Sequence, residues 1–325
     1  MSDRKPNFLP FCLGAFCLLS WQPAQAQLVP DHTLDPEGSV VVPIEALIDE
    51  IRGGAARGSN LFHSFLEFNV GDGRSVYFAN PVGIENILTR VTGSNASDIL
   101  GRLGVAGGAN LWLINPNGIN FGPNSSLDVS GSFIASTADG IQLGEDGVFS
   151  ATNPQNNQLL NVQPGALFHQ AWANHQAQIN HQGDLAVGQG ETLRLQSGTV
   201  TMTGSLTAPG GRVEVLGHRV GLLDDAGIDV SSATGGGTVL IGGDYQGGED
   251  ALIPQPLLPT LGEGEQEVFP LDSGEEGQVF KVPLPELGEG FRVRANATHT
   301  YIGPDVTINA DAGNGKLSYH CPVSG

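Results

Sequence analysis

Apolar and polar positions alternate in short runs along most of this chain, and helical spacing is rare. Residues 111–114, 119–121, 127–129 and 132–135 are β-type segments with Gly or Asn between them. They predict strand, turn, strand, turn. Asn115-Pro116-Asn117-Gly118 is a tight turn by composition. Pro116 presets its own φ, Asn117 tolerates unusual backbone angles, and Gly118 relieves the exit. A chain with this grammar winds on itself instead of packing helices.

The winding has a period. Residues 183–187, 204–208 and 227–230 share a Gly-x-β-x-β pattern, with Leu185 and Leu206 21 residues apart and Leu206 and Ile228 22 apart. A second track through residues 192–196, 211–216 and 237–241 is spaced by 20 and then 26 residues. A repeat near 21 holds three short strands and their turns, which is one coil of a parallel β-helix. Leu193 with Leu195, Val213 with Val215 and Val239 with Ile241 alternate as inward positions. Coils stacked about 4.8 Å apart pair each backbone N–H and C=O with the next coil.

Elsewhere the pattern changes. Ile44, Leu47, Ile48 and Ile51 have helical spacing that Gly53-Gly54 would end. Residues 57–70 concentrate Leu61, Phe62, Phe65, Leu66 and Phe68, and read as a plug closing the N-terminal end of the solenoid. His63 within it reads as a satisfied structural residue and not as a ligand or base. Gly71-Asp72-Gly73-Arg74 reads as a hairpin turn. Residues 139–149 read as a further strand-turn set, and 151–161 as a loop leaving the solenoid. Residues 249–296 break the grammar with six prolines and acidic runs. They read as an excursion loop carrying an exposed hairpin of 279–282 with 291–293. Residues 301–310 return to coil text. Residues 318–325 resemble neither coil nor cap, which predicts a truncated or interrupted frame with an exposed strand edge.

Composition narrows the function. Gly contributes 47 residues and charged residues 15%, favouring turns and uncharged strands over amphipathic helices. A formal net charge of −20 argues against a nucleic-acid partner and against adsorption to anionic lipid. Arg4 and Lys5, the apolar run 8–19 and Ala24-Gln25-Ala26 read as a secretory signal, residues 1–26, which predicts a mature chain that begins at Gln27 and has no membrane span. Cys12 and Cys17 leave with it. Cys321 alone cannot form an internal disulfide, so packing and the backbone ladder must supply stability.

The block 113–138 resembles the haemagglutination-activity domain of two-partner secretion exoproteins, the filamentous haemagglutinin family, whose signature is Asn-Pro-Asn-Gly-Ile. Here it is Asn115, Pro116, Asn117, Gly118 and Ile119. Phe62-His63-Ser64-Phe65 and Phe68-Asn69-Val70 resemble the family's aromatic motif and the Phe-Asn-Val after it. The family's first short motif survives only as Asn80-Pro81, a departure from its Asn-Pro-Asn-Leu. The resemblance covers residues 57–245 and resumes near Tyr301. It implies a right-handed parallel β-helix, taken as residues 27–248, and favours a strand near Ile51; the excursion read from the prolines then spans 249–298 and the returning coil 299–325. It further implies a non-catalytic exoprotein, the N-terminal part of an adhesin. Such a chain meets the periplasmic domains of an outer-membrane transporter, crosses its pore and folds outside the cell or at its surface. Within that frame Asn115–Ile119, Asn69, Asn80 and Pro81 are the candidate secretion motif, either touched by the transporter or setting turns. No host ligand is specified by this segment.

The competing class is a β-helix polysaccharide lyase or glycosidase, which needs paired carboxylates on neighbouring coils. Asp224, Asp225 and Asp229 are the candidates, with Arg212 and Arg219 nearby; an Asp pair at a Gly-bounded turn is more simply a turn cap. His169, His175 and His181 recur every six residues, but one strand would hold successive members about 20 Å apart, so they do not share one metal ion. Gly242-Gly243-Asp244 and Gly247-Gly248-Glu249-Asp250 lack the phase of a calcium nonapeptide, and residues 313–317 lack that of a phosphate loop. No motif calls for a cofactor.

Overall fold

A computed structural model describes residues 28–144, 147–155, 164–168, 177–233, 235–242, 291–293, 299–310 and 318–319. The expected signal segment, the greater part of 249–298, His169, His175 and Cys321 lie outside the described residues. Among those described, every regular element is a β-strand, and the strands stack in three tracks. The first runs in parallel through Asn60–Phe68, Asn86–Val91, Asn110–Ile114, Phe133–Ser136, Thr192–Met202, Arg212–Leu222 and Thr238–Gly242. The second passes through Ser97–Ile99, Ile119–Phe121, Gln178–His181, the far halves of Thr192–Met202 and Arg212–Leu222, and His299–Ile302. The third holds Ile48–Gly53, Ser75–Ala79, Arg102–Ala106, Ser126–Asp128, Asp184–Ala186, Ser205–Thr207, Gly227–Asp229 and Thr307–Asn309. One winding visits the tracks in that order, which makes the fold a parallel β-helix. The repeat read from sequence sets the register: Leu185 stacks on Leu206 and Ile228, and Leu193 on Val213 and Val239.

Alternation sorts each strand into an inward and an outward set. On the first track Leu61, Ile87, Leu111, Phe133, Leu193, Val213 and Val239 form one buried inward column. The third track supplies Val76, Leu103, Leu185, Leu206, Ile228 and Ile308. Each side chain contributes roughly 1.5–3 kcal/mol on burial, so a coil gains stability mainly from the coils on either side.

A second apolar cluster lies outside the axis. Phe62, Leu88, Trp112 and Ile134 stack in register on the outward side of the first track, yet all are buried. Ile141, Leu143 and Phe149 cover them. These belong to an antiparallel sheet of Gly140–Leu143, Gly147–Ser150 and Pro164–Phe168. Residues 139–149 are therefore no coil but the start of an excursion. The alternation is the same in either case, and only the direction of pairing differs.

Other expectations are also corrected. Residues 44–51 form no helix: Ser39–Glu45 and Ile48–Gly53 pair antiparallel, and the reversal between them produced the i, i+3, i+4 spacing. Asn60–Phe68 is the first coil's own strand, not a plug. The end is closed by Leu28–Pro30 and Ala55–Arg57, which pair antiparallel to it. Gly71–Arg74 is a corner between tracks, closed by Arg74 N–H donating to Gly71 O at 3.1 Å, and not a hairpin. Phe291–Val293 pairs in parallel with Val239–Ile241, and its expected hairpin partner, residues 279–282, lies outside the described residues. Ile308 and Asn309 pair antiparallel with Tyr319 and Ser318, so that strand edge is not bare.

Two histidines are sealed in the solenoid. His63 is wholly buried, its Nδ1 3.0 Å from Ser39 Oγ, and burial pushes its pKa down to about 3. His181 is buried beside Phe121, and burial holds it at about 4. Its Nε2 lies 3.1 Å from Ser205 O, so that nitrogen carries the proton. Both are neutral when folded and take up protons near pH 6.5 when unfolded, so the unfolded state binds more protons below that pH. Stability is full above about pH 6.5, falls as pH drops toward 4, and levels off below the folded values. Urea midpoints at stepped pH should show this slope, and His63→Gln and His181→Gln should each flatten it. Parallel profiles for wild type and both variants would contradict it.

Candidate functional site

The turn that stands out in the sequence joins the first track to the second in the third coil. Asn115 is wholly buried. Its Nδ2 donates to Asn95 O and to Ser97 Oγ, both at 3.0 Å. Its Oδ1 accepts from the Asn117 backbone N–H at 3.0 Å, and Gly118 N–H donates back to Asn115 O at 3.1 Å. One amide side chain thus closes its own turn and ties it to the turn of the coil before. Asn117 is exposed, but its Nδ2 reaches Gly93 O at 2.8 Å, again one coil back. Gly118 has φ of +123°, and its carbonyl accepts from Ser97 N–H at 3.0 Å. A Cβ there would meet Gln178 O at 3.1 Å, so the glycine is required by conformation and by the coil above. Pro116 is half-buried, and Ile119 is buried in register between Ser97 and Ile179.

Asn69 and Asn115 grip the second coil from opposite sides, since Asn69 Oδ1 accepts from Asp98 N–H at 2.8 Å. Asn80-Pro81 is elsewhere, at the corner between the third track and the first. Asn80 Oδ1 accepts from Ala109 N–H at 3.1 Å, and its Nδ2 donates to Ile84 O at 3.0 Å. A Cβ on Gly107 would lie 2.2 Å from that Oδ1, so Gly107 makes room for it. Pro81 is exposed and its carbonyl accepts from Ile84 N–H at 3.1 Å. The predicted residues therefore form no single pocket. Each asparagine sews one coil to its neighbour.

Sequence reading missed two further seams. Asn110 Nδ2 donates to Asn86 Oδ1, and Asn86 Nδ2 to Asn60 Oδ1, each at 3.0 Å. On the second track Asn180 donates to Asn120 at 2.9 Å, and Asn120 to Asp98 at 2.8 Å. The recurrence of Asn at 26 and 24 residues was the available signal for the first seam.

The carboxylates of the enzyme alternative lie in or beside one corner turn. Asp224 and Asp225 are exposed in a turn closed by Ala226 N–H donating to Leu223 O at 3.1 Å, and Asp224 stands in the left-handed region at φ 51°. Asp229 Oδ1 accepts from Ser231 N–H at 2.8 Å. Arg212 pairs with Glu214 at 2.9 Å. Among the described residues no cluster of three or more His, Cys, Asp or Glu could hold a metal ion. No helix among them is long and apolar enough to cross a membrane.

A capped parallel β-helix with Asn-Pro turns at its corners places the chain among the β-solenoids. The model of the TPS (two-partner secretion) secretion domain matches residues 26–248, and the chain belongs to that family. It is 32% identical over 115 residues to the heme/hemopexin-binding protein of Haemophilus influenzae, a stretch covering 34% of this chain and 12% of that protein. It is also similar to the crystal structure of the HMW1 secretion domain from Haemophilus influenzae over 90% of both chains. There the identity is 14% and the TM-score 0.33, values too low to bear on function.

Removing the Asn115 side chain strands Ser97 and the 115–118 turn in the interior. Asn115→Ala should cost about 1–3 kcal/mol and Asn117→Ala, at the surface, about 1 kcal/mol or less. Gly118→Ala, strained at positive φ, should fall in the range of about 1–3 kcal/mol. Urea unfolding followed by circular dichroism checks the order, and Asn117 costing more than Asn115 would contradict it.

Proposed function

We propose that this chain is a non-catalytic secretion module, taken as residues 27–248, exported through the periplasm and an outer-membrane transporter and folded outside. The family assignment supports export by a partner. The observation that carries the rest is the burial of Asn115 and its bonds to the preceding coil. A side chain wholly enclosed in the folded helix is not available to a transporter there. Any reading of Asn115 by the transporter thus belongs to the unfolded chain, and in the folded one Asn115–Ile119, with Asn69, Asn80 and Pro81, set corners. Vectorial exit suits a repeat fold, since most contacts join adjacent coils and an emerging coil meets one already formed.

Co-expression with a cognate transporter tests the proposal. The chain should reach the medium only with that transporter, and deleting residues 113–121 should abolish its appearance. If the motif only sets corners, Asn115→Ala and Asn117→Ala should lose export in proportion to their loss of stability. If the transporter reads it, exposed Asn117 should lose far more export than stability. Transporter-independent release, or turnover of acidic polysaccharide lost in a folded Asp225→Ala variant, would overturn the proposal.

A further inference from the structure

Arg90 is the largest side chain wholly removed from solvent among the described residues. It points outward from the first track, next to Leu88, and not toward the axis. Its Nε donates to Ser64 Oγ at 2.9 Å in the preceding coil, and one terminal nitrogen to Thr33 Oγ1 at 2.7 Å in the lead-in. The guanidinium also donates to Ser150 O at 2.6 Å and Pro154 O at 3.3 Å, sixty residues and more downstream in the excursion. Its carbon lies 4.4 Å from the centre of the Phe149 ring, which meets Phe62 edge-on at 5.0 Å.

Asp31 completes the arrangement. It is buried and accepts from Ser64 Oγ at 2.7 Å, Thr92 Oγ1 at 2.5 Å and Thr33 Oγ1 at 2.6 Å. Burial alone would raise its pKa, but these hydrogen bonds outweigh it and hold the carboxyl below its ordinary value. Burial draws Arg90 down to about 10, with Asp31 opposing that shift. Stretches distant in sequence therefore converge on Arg90 and Asp31: residues 31–33, Ser64 and Thr92 on neighbouring coils, and residues 149–154. A buried guanidinium missing some of its acceptors is costly, because its desolvation is no longer offset. The outward column of Phe62, Leu88, Trp112 and Ile134 is likewise covered only once Ile141, Leu143 and Phe149 are in place.

We propose that Arg90 and Phe149 form a clasp that joins the lead-in, the first coils and the excursion into one cooperative unit, closed by the docking of residues 149–154. This part of the solenoid then does not add coil by coil. The strands Thr192–Met202 and Arg212–Leu222, whose register is shared along eleven-residue lengths, obey the nearest-neighbour rule instead. Neither the clasp nor its test depends on the route of export. Cooperative opening in contiguous units is what native hydrogen exchange reads.

Hydrogen exchange on the folded full chain, wild type against Arg90→Lys, Phe149→Ala and the milder Thr33→Val, tests it. Amides of Asn60–Phe68, Asn86–Val91 and Gly140–Leu143 should accelerate together by a common factor, on the order of tenfold or more for the two stronger variants. Amides of Arg212–Leu222 should not change. Should the stronger variants fail to fold, Thr33→Val should give the same pattern at smaller amplitude. Acceleration confined to the substituted strand, an equal acceleration along the whole chain, or no change in Asn60–Phe68 would each overturn the proposal.

Discussion

Each backbone amide of a winding must find its carbonyl one coil away, and nearly every other feature of this molecule answers to that requirement. Ser97 N–H donates to Gly118 O, Gly122 N–H to Ile99 O and Gln182 N–H to Phe121 O, each a step along the axis at 2.9–3.0 Å. Parallel stacking in register puts like positions over like. That is why aliphatic residues form dry columns inside and asparagines form hydrogen-bonded seams. The Asn-Pro corner belongs to the same logic. Its side-chain amides supply the coil-to-coil bonds that the backbone cannot make where it turns.

A ladder of this kind has two exposed places, its ends and its outward faces. The first end is closed by antiparallel strands laid against Asn60–Phe68, which use up the free edge. The outward face of the first coils is apolar, and an excursion folds back over it. Closing that face buries Arg90, so apolar cover and a satisfied charge arrive together. Local stacking thus governs the later coils, while the first ones answer to contacts that span most of the preceding chain.

Much of this was legible in the sequence wherever a residue had a counterpart one winding away. Leu185, Leu206 and Ile228 announced their stacking by spacing, and Asn115 to Gly118 announced a corner by composition. The second track at Gln178–His181, Thr199 and Arg219 escaped, because Thr192–Met202 and Arg212–Leu222 run through a corner without a break and hide two strands in one. Hairpin and coil share one alternation, so residues 140–150 could not reveal their antiparallel pairing. The turn between Glu45 and Ile48 imitated helical spacing for a similar reason. Arg90 gave no signal at all. Its partners lie 26, 57, 60 and 64 residues away, and no local pattern records them.

The stacking itself is tested by distance. Ser75, Arg102, Ser126, Asp184, Ser205, Gly227 and Thr307 occupy one column, each a winding beyond the last. Spin labels placed pairwise at Ser75 and Ser205, and at Ser75 and Thr307, in a background lacking the native cysteines, should report backbone separations of about 19 Å and about 29 Å. Separations that grow with the number of windings are the predicted result. Separations that do not scale with winding number would contradict a stacked parallel helix.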